Sequence, residues 1–105
     1  MADDWHTLAD AGEISSPALL VYPKRIEENI RRTIAAVGQA ERLRPHVKTH
    51  KMAELVQMQL KAGITKFKCA TIAEAEMLGQ AGAKDVLLAN QPVGPGIDRL
   101  LNLAG

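Results

Sequence analysis

The residues with the clearest capacity for chemistry lie in one short stretch, Arg44-Pro-His-Val-Lys-Thr-His-Lys51. Read as an extended strand, this stretch places Arg44, His46, Lys48 and His50 on one face, because alternate side chains of a strand share a side. Burying several basic groups together is costly unless they are solvated or meet an anion. The spacing therefore indicates an anion-binding face, although an edge strand with its basic side in water explains it too.

Lys48 is the candidate nucleophile of this stretch. A lysine amine attacks an aldehyde only when it is uncharged, and an ordinary lysine is uncharged in about four molecules per ten thousand at pH 7. Cationic neighbours and partial desolvation increase that fraction, which favours Schiff-base formation. The anion that matches such a face is a phosphorylated aldehyde cofactor, a substrate carboxylate, or both.

Three other lysines compete with Lys48 for this role. Lys68 lies on a second predicted strand and reaches the same end of the sheet. Lys51 is expected to begin a helix and Lys24 to head another, so both are interpreted as solvated charges. Lys48 is preferred because two histidines share its face. These two histidines are four residues apart, which brings ligands together on a helix but not on a strand, so the stretch predicts no metal site.

Strand-like and helix-like stretches alternate along the chain. The predicted strands are 17–22, 43–50, 66–70 and 85–90, and the predicted helices are 24–37, 52–60, 71–81 and 97–104. Short connections in this order are typical of a parallel sheet covered by helices. Thr71 and Glu74 have the form of a capping box at the start of the third helix. Because a closed barrel needs about 250 residues, we expect the N-terminal part of a longer protein; a small complete three-layer domain is the alternative.

Composition narrows the class of protein. The chain has 105 residues, of which 47% are hydrophobic and 24% charged, and its net charge is +1, so no general basic field attracts nucleic acid. Cys69 is the single cysteine, which excludes an internal disulfide and a cysteine-based zinc cluster within the chain. The acidic start lacks a signal-peptide pattern, and no apolar run approaches the ~20 residues of a membrane span. We therefore expect a cytoplasmic protein with neither a membrane nor a nucleic-acid partner.

Four segments together resemble one enzyme family. They are Pro17-Ala-Leu-Leu-Val-Tyr22, the basic stretch Arg44–Lys51, Cys69-Ala-Thr-Ile-Ala-Glu-Ala-Glu76 and Asp85-Val-Leu-Leu-Ala-Asn-Gln91. The chain is similar to the start of the D-threonine aldolase and D-serine dehydratase group, which are alanine-racemase-like, fold type III pyridoxal-phosphate enzymes. The string Arg-Pro-His-x-Lys-x-His-Lys carries the resemblance most specifically.

The resemblance implies an α/β fold, a partial (β/α)8 TIM barrel with about its first three βα units. Residues 1–16 are then an N-terminal segment, 17–23 a strand of a second β domain, and 24–105 the N-terminal portion of the barrel. Lys48 is implied to hold pyridoxal 5'-phosphate as a Schiff base, and Arg44, His46 and His50 to help bind it.

The implied activity is that of a pyridoxal-phosphate-dependent lyase acting on small D-hydroxy amino acids, of the D-threonine aldolase or D-serine dehydratase type. An amino-acid racemase of the same fold and a non-catalytic pyridoxal-phosphate-binding homeostasis protein are the alternatives. Any divalent metal is expected in a C-terminal part outside this chain, and the full-length protein is expected to be a homodimer. The 105 residues alone are expected to be inactive, because the family's remaining binding loops lie further along.

Overall fold

The computed structural model describes residues 4–105, which form a mixed α/β arrangement. The helices and strands are α1 (Pro23–Val37), α2 (Ala53–Lys61), β1 (Lys66–Cys69), α3 (Ile72–Ala81), β2 (Asp85–Leu88) and α4 (Pro95–Ala104), with short 3₁₀ turns at Ala11–Glu13 and Ala40–Arg42. The predicted helices and the last two predicted strands are confirmed, with shifts of a few residues at their ends. Among residues 4–105, no helix combines the length and the apolar character that a membrane span requires.

The helices begin and end where the sequence supplies the required backbone geometry. Pro23 opens α1, where its fixed φ and missing N–H cost nothing. Gly38 follows the last turn of α1 with a φ of 87°, and Gly82 follows α3 with a φ of 104°. Left-handed backbone of this kind is open to glycine without a steric penalty. Helices and strands can therefore follow one another with short connections.

The sheet is parallel and its strands follow chain order. Strands β1 and β2 pair from Lys66 opposite Asp85 to Cys69 opposite Leu88. Residues 45–47 add a short third member, because Val47 N–H donates to the Lys68 carbonyl at 2.9 Å and Lys68 N–H donates to the Pro45 carbonyl at 2.8 Å. Consequently residues 45–47, β1 and β2 lie side by side and point the same way.

Helices cover one face of this sheet. The buried cluster joins Val47, Phe67 and Cys69 of the sheet to Val56 of α2 and Leu78 of α3. Side chains pointing the other way are uncovered, and Leu87 of β2 remains 50% exposed. The period-2 alternation thus sends the apolar side chains of β1 into the core and leaves its lysines on the open face.

The predicted strand over 43–50 is correct only at its centre. The extended backbone stops after Val47, because the Val47 carbonyl accepts hydrogen bonds from His50 N–H at 3.3 Å and from Lys51 N–H at 2.8 Å. Residues 48–50 therefore form a turn, and the alternation that put Lys48 and His50 on the face of Arg44 does not extend to them.

The predicted strand over 17–22 does not form within residues 4–105. This segment pairs with no strand of the described chain, and its side chains are largely exposed, with Leu19 at 66%. A strand needs a neighbour to receive its backbone hydrogen bonds. The assignment of 17–23 to a second β domain stays a prediction.

Candidate functional site

The ends of the parallel strands meet at one edge of the sheet. Lys48 follows the strand-like residues 45–47, Ala70 follows β1 and Asn90 follows β2. Asn90 Nδ2 donates to the Ala70 carbonyl at 3.0 Å, which joins the last two strand ends. We call Lys48, Ala70 and Asn90 the strand-end rim. Active sites of parallel α/β folds occupy this edge, because loops of several strands converge there.

Lys48 is the only residue of the strand-end rim whose side chain carries an amine. Its backbone N–H donates to Nδ1 of His46 at 3.3 Å, so the turn that carries it is anchored to the preceding strand residue. Its side chain is exposed, and no residue among 4–105 covers it. The predicted activation of Lys48 by its surroundings stays a prediction, because the side chain lies in the turn after Val47 and is open to solvent among residues 4–105.

Arg44 lies on the open face but is already partnered. Its Nη1 contacts Oδ1 of Asp85 at 2.7 Å and donates to the Phe67 carbonyl at 3.0 Å. The hydrogen bond from Arg44 lowers the pKa of Asp85 more than partial burial raises it. Arg44 therefore links three neighbouring backbones in this structure, and its role in cofactor binding stays a prediction.

His46 remains on the open face with the lysines of β1. It forms an isolated parallel bridge with Lys68, which puts the two residues side by side in the sheet. Both are partly exposed. The open face thus carries Arg44, His46, Lys66 and Lys68 together with Asp85, and two residues of the predicted basic face, Lys48 and His50, do not lie on it.

His50 faces away from this basic group. It lines a cleft of about 700 Å³ formed by residues 19–22, α1 and the start of α2. Its Nδ1 accepts a hydrogen bond from Met52 N–H at 3.0 Å, so the neutral ring carries its proton on Nε2. That Nε2 is buried and has no partner among residues 4–105. Burial lowers the pKa of His50, outweighing the opposite effect of the Glu74 carboxylate.

Two residues that the sequence interpretation did not select complete the surroundings of Lys48. Glu74 is only 4% exposed and accepts hydrogen bonds from Lys51 Nζ at 3.1 Å, Thr71 Oγ1 at 2.9 Å and Ala70 N–H at 3.1 Å. The predicted capping bond from Glu74 N–H to Thr71 Oγ1 is confirmed at 3.1 Å. Burial raises the pKa of Glu74, but the three hydrogen bonds and the Lys51 charge outweigh it and lower that pKa overall.

Lys51 is therefore neither the first residue of a helix nor a free solvated charge. It precedes α2, with a φ of 52°, and its Nζ also donates to the Lys48 carbonyl at 2.9 Å. The capping-box pattern could have pointed to Glu74. No local pattern pairs Glu74 with a lysine 23 residues earlier.

Most of the chain matches a known protein family. The family described as alanine racemase, N-terminal domain, matches residues 21–102. The chain belongs to this alanine racemase N-terminal domain family. Its members have a TIM-barrel fold, and its D-threonine aldolase-like and alanine racemase-like enzymes use pyridoxal 5'-phosphate. The proposed resemblance to the D-threonine aldolase group is confirmed. No solved structure matched the chain.

Curated relatives of this family member carry lyase names. D-threo-3-hydroxyaspartate dehydratase of Delftia sp. (strain HT23) is 36% identical over 77 residues, 72% of this chain and 20% of that protein. 3-Hydroxy-D-aspartate aldolase of Paracoccus denitrificans is 35% identical over 97 residues, 90% of this chain and 25% of that protein. D-threonine aldolase of an Arthrobacter species is 32% identical over 83 residues, 78% of this chain and 22% of that protein. The chain thus spans a quarter or less of each of these relatives.

The donor set of this family member suits a phosphorylated aldehyde. An exposed amine at Lys48 is available to an aldehyde carbon, and His46 with the lysines of β1 offers hydrogen-bond donors to an anion. The buried Nε2 of His50 lies on the cleft side and is not part of this donor set. Within residues 4–105, no three His, Cys, Asp or Glu side chains gather as metal ligands.

Proposed function

We propose that this chain supplies the cofactor-attachment lysine of a pyridoxal-phosphate-dependent lyase that acts on D-configured 3-hydroxy amino acids. The observation that carries the proposal is the position of Lys48: an exposed amine immediately after the strand-like residues 45–47, at the edge where the parallel strands end. Membership of the alanine racemase N-terminal domain family supports the choice of cofactor.

The names of the relatives support the substrate class. A dehydratase removes the 3-hydroxyl group, and an aldolase cleaves the bond between the α-carbon and the carbon that carries this hydroxyl. Both reactions therefore require a 3-hydroxy amino acid. When bound, pyridoxal phosphate supplies an electron sink for negative charge that develops on the substrate. One cofactor site can therefore serve either reaction. The relatives named for hydroxyaspartate act on a substrate with a second carboxylate, which the basic face suits.

The residues of this chain have distinct proposed roles. Lys48 holds the cofactor through its amine and, once released, moves a proton at the substrate α-carbon. His46 lies beside Lys68 on the same face and offers a hydrogen bond to the cofactor or to a substrate carboxylate. Arg44 acts mainly through Asp85, keeping the three strand backbones in register. A role of His50 in cofactor binding stays a prediction, because its ring lies on the cleft side and its Nε2 is buried there.

We also propose that residues 43–105 form the first three βα units of a (β/α)8 barrel. Parallel sheets are normally covered on both faces, and among residues 4–105 helices cover only one. In a barrel the uncovered face, with Leu87, His46 and Lys68, lies inside and is filled by the opposite strands. The strand-end rim is then part of the barrel's catalytic end.

A direct test measures turnover by the protein expressed from its full reading frame. D-Threonine, D-serine and D-threo-3-hydroxyaspartate are supplied with pyridoxal phosphate, and aldehyde, ammonia and keto-acid products are quantified. Aldehyde or ammonia release that disappears in Lys48→Ala and persists in the exposed-lysine control Lys84→Ala supports the lyase. Cofactor binding without turnover of any substrate would favour the non-catalytic carrier.

An amino-acid racemase is a second candidate, because the matched family takes its description from alanine racemase. The same assay separates it when D-alanine is included and the appearance of the L enantiomer is followed. Racemisation requires a second base on the opposite side of the substrate α-carbon. Interconversion of alanine enantiomers without aldehyde or ammonia release would replace the lyase proposal with this one.

A further inference from the structure

Glu74 makes more contacts than helix capping requires. The capping bond uses its backbone N–H, which donates to Thr71 Oγ1 at 3.1 Å. Its buried carboxylate accepts from Ala70 N–H through Oε1 and from Thr71 Oγ1 through Oε2; a neutral amide oxygen could accept one of these bonds at a time. Only the contact with Lys51 Nζ, at 3.1 Å, calls for a full negative charge. The negative charge of Glu74 therefore acts mainly to hold the ammonium group of Lys51.

Lys51 in turn acts on the backbone of Lys48. Its ammonium group donates to the Lys48 carbonyl at 2.9 Å while it is held by Glu74. The Lys48 N–H is occupied as well, by Nδ1 of His46 at 3.3 Å. Both polar backbone groups of Lys48 are thus fixed by side chains, one on each side of the turn.

The backbone conformation of Lys51 is strained, so this arrangement has an energetic cost. Its φ of 52° lies in the left-handed region, which is strained for a residue with a β-carbon. Glycine would form this turn more easily. A lysine at this position is explained by its ammonium group, which a glycine lacks.

We propose that Glu74 is a positioning residue that, through Lys51, fixes the backbone of Lys48 and thereby the direction of its amine. The catalytic meaning of this inference rests on the proposed function of Lys48. The link runs from the start of α3 to the turn after residues 45–47, so it connects the ends of two neighbouring strands. Ordered backbone at a reacting group reduces the entropy lost in reaching a productive geometry.

The test compares Glu74→Gln and Lys51→Gly with a matched control in the protein expressed from its full reading frame. The control is Glu76→Gln, which removes the surface ion pair with Arg99 from the same helix without touching Lys51. The first measurement is amide hydrogen exchange at residues 48–51, where His50 and Lys51 N–H bond to the Val47 carbonyl. The second is the rate of pyridoxal phosphate uptake at Lys48, trapped with borohydride and quantified by mass spectrometry.

We expect exchange at residues 48–51 to accelerate about tenfold in Glu74→Gln and Lys51→Gly, as for the loss of one charge-assisted hydrogen bond. Uptake at Lys48 should slow by about the same factor, while exchange in β1 and the Tm change little. Lys51→Arg, which retains a cationic donor, should restore most of the protection. Glu76→Gln should match the wild type in both measurements.

Lys51→Gly distinguishes positioning from simple turn formation. If the residue only shapes the turn, glycine relieves the strain, and exchange at residues 48–51 is unchanged or slower; that result would overturn the proposal. Unchanged exchange in Glu74→Gln would overturn it too. Absence of any uptake at Lys48 in the wild type would reject the proposed function, while the exchange data would still decide whether Glu74 and Lys51 hold the turn.

Discussion

Arg44 and Asp85 form a 2.7 Å ion pair across β1, although 41 residues separate them in the chain. The guanidinium group also contacts the Phe67 carbonyl of the intervening strand. One side chain on the open face therefore ties all three sheet members together. Arg44, which the sequence alone assigns to a bound anion, already has an anionic partner within the chain, Asp85.

A double-mutant cycle tests the coupling of this pair. Asp85→Asn should lower the Tm of the protein because Arg44 loses its charged partner, and the same substitution should have little further effect in an Arg44→Met background. Thermal unfolding of the wild type, both single variants and the double variant provides the four values. Additive effects of the two substitutions would show that the contact does not stabilise the sheet.

A second prediction follows from the position of the core, which lies between the helices and one face of the sheet. Phe67 is 0% exposed, so Phe67→Ala should lower the free energy of unfolding by about 3–5 kcal/mol through lost burial and a residual cavity. Urea unfolding of the 105-residue chain measures this change. The matched control is Leu87→Ala on the opposite face, which should change the value by less than ~0.5 kcal/mol. Equal losses in the two variants would contradict the described layering.

Alternation and capping were readable in the sequence because they depend on local spacing. The helices, β1, β2 and the capping bond at Thr71 follow from residues close together in the chain. The turn at 48–50 was not readable in this way. Its two hydrogen bonds to the Val47 carbonyl replace strand pairing beyond residue 47, and the neighbouring strand β1 ends at Cys69.

The site shows the same division between local and distant causes. Lys48 and the basic character of its surroundings could be proposed from one stretch of sequence. The partners of Arg44 and Lys51, Asp85 and Glu74, come from other βα units and depend on how strands and helices align. The chain direction at His50 likewise follows from the turn, which moves the ring from the open face to the cleft.

The environment of His50 predicts a pH dependence of stability. Its pKa is lowered in the folded chain, mainly by burial, from an ordinary value of 6.5. The neutral ring therefore stabilises the fold fully above pH 6.5, and this contribution is lost as the pH falls through the lowered pKa. The midpoint of urea unfolding should decrease between pH 7 and pH 5.

His50→Asn is the informative variant for that pH dependence. The asparagine oxygen can replace Nδ1 as acceptor for Met52 N–H but does not titrate. The variant should show a flatter profile between pH 7 and pH 5 than the wild type. Superimposable profiles for the two proteins would mean that another group causes the change.

The amine of Lys48 is proposed to condense with pyridoxal phosphate. The most direct measurement is borohydride reduction of the cofactor-loaded protein from the full reading frame, followed by proteolysis and mass spectrometry of the labelled peptide. We expect a stable pyridoxyl group on Lys48. A label on Lys68, or on no lysine between residues 44 and 68, would contradict it.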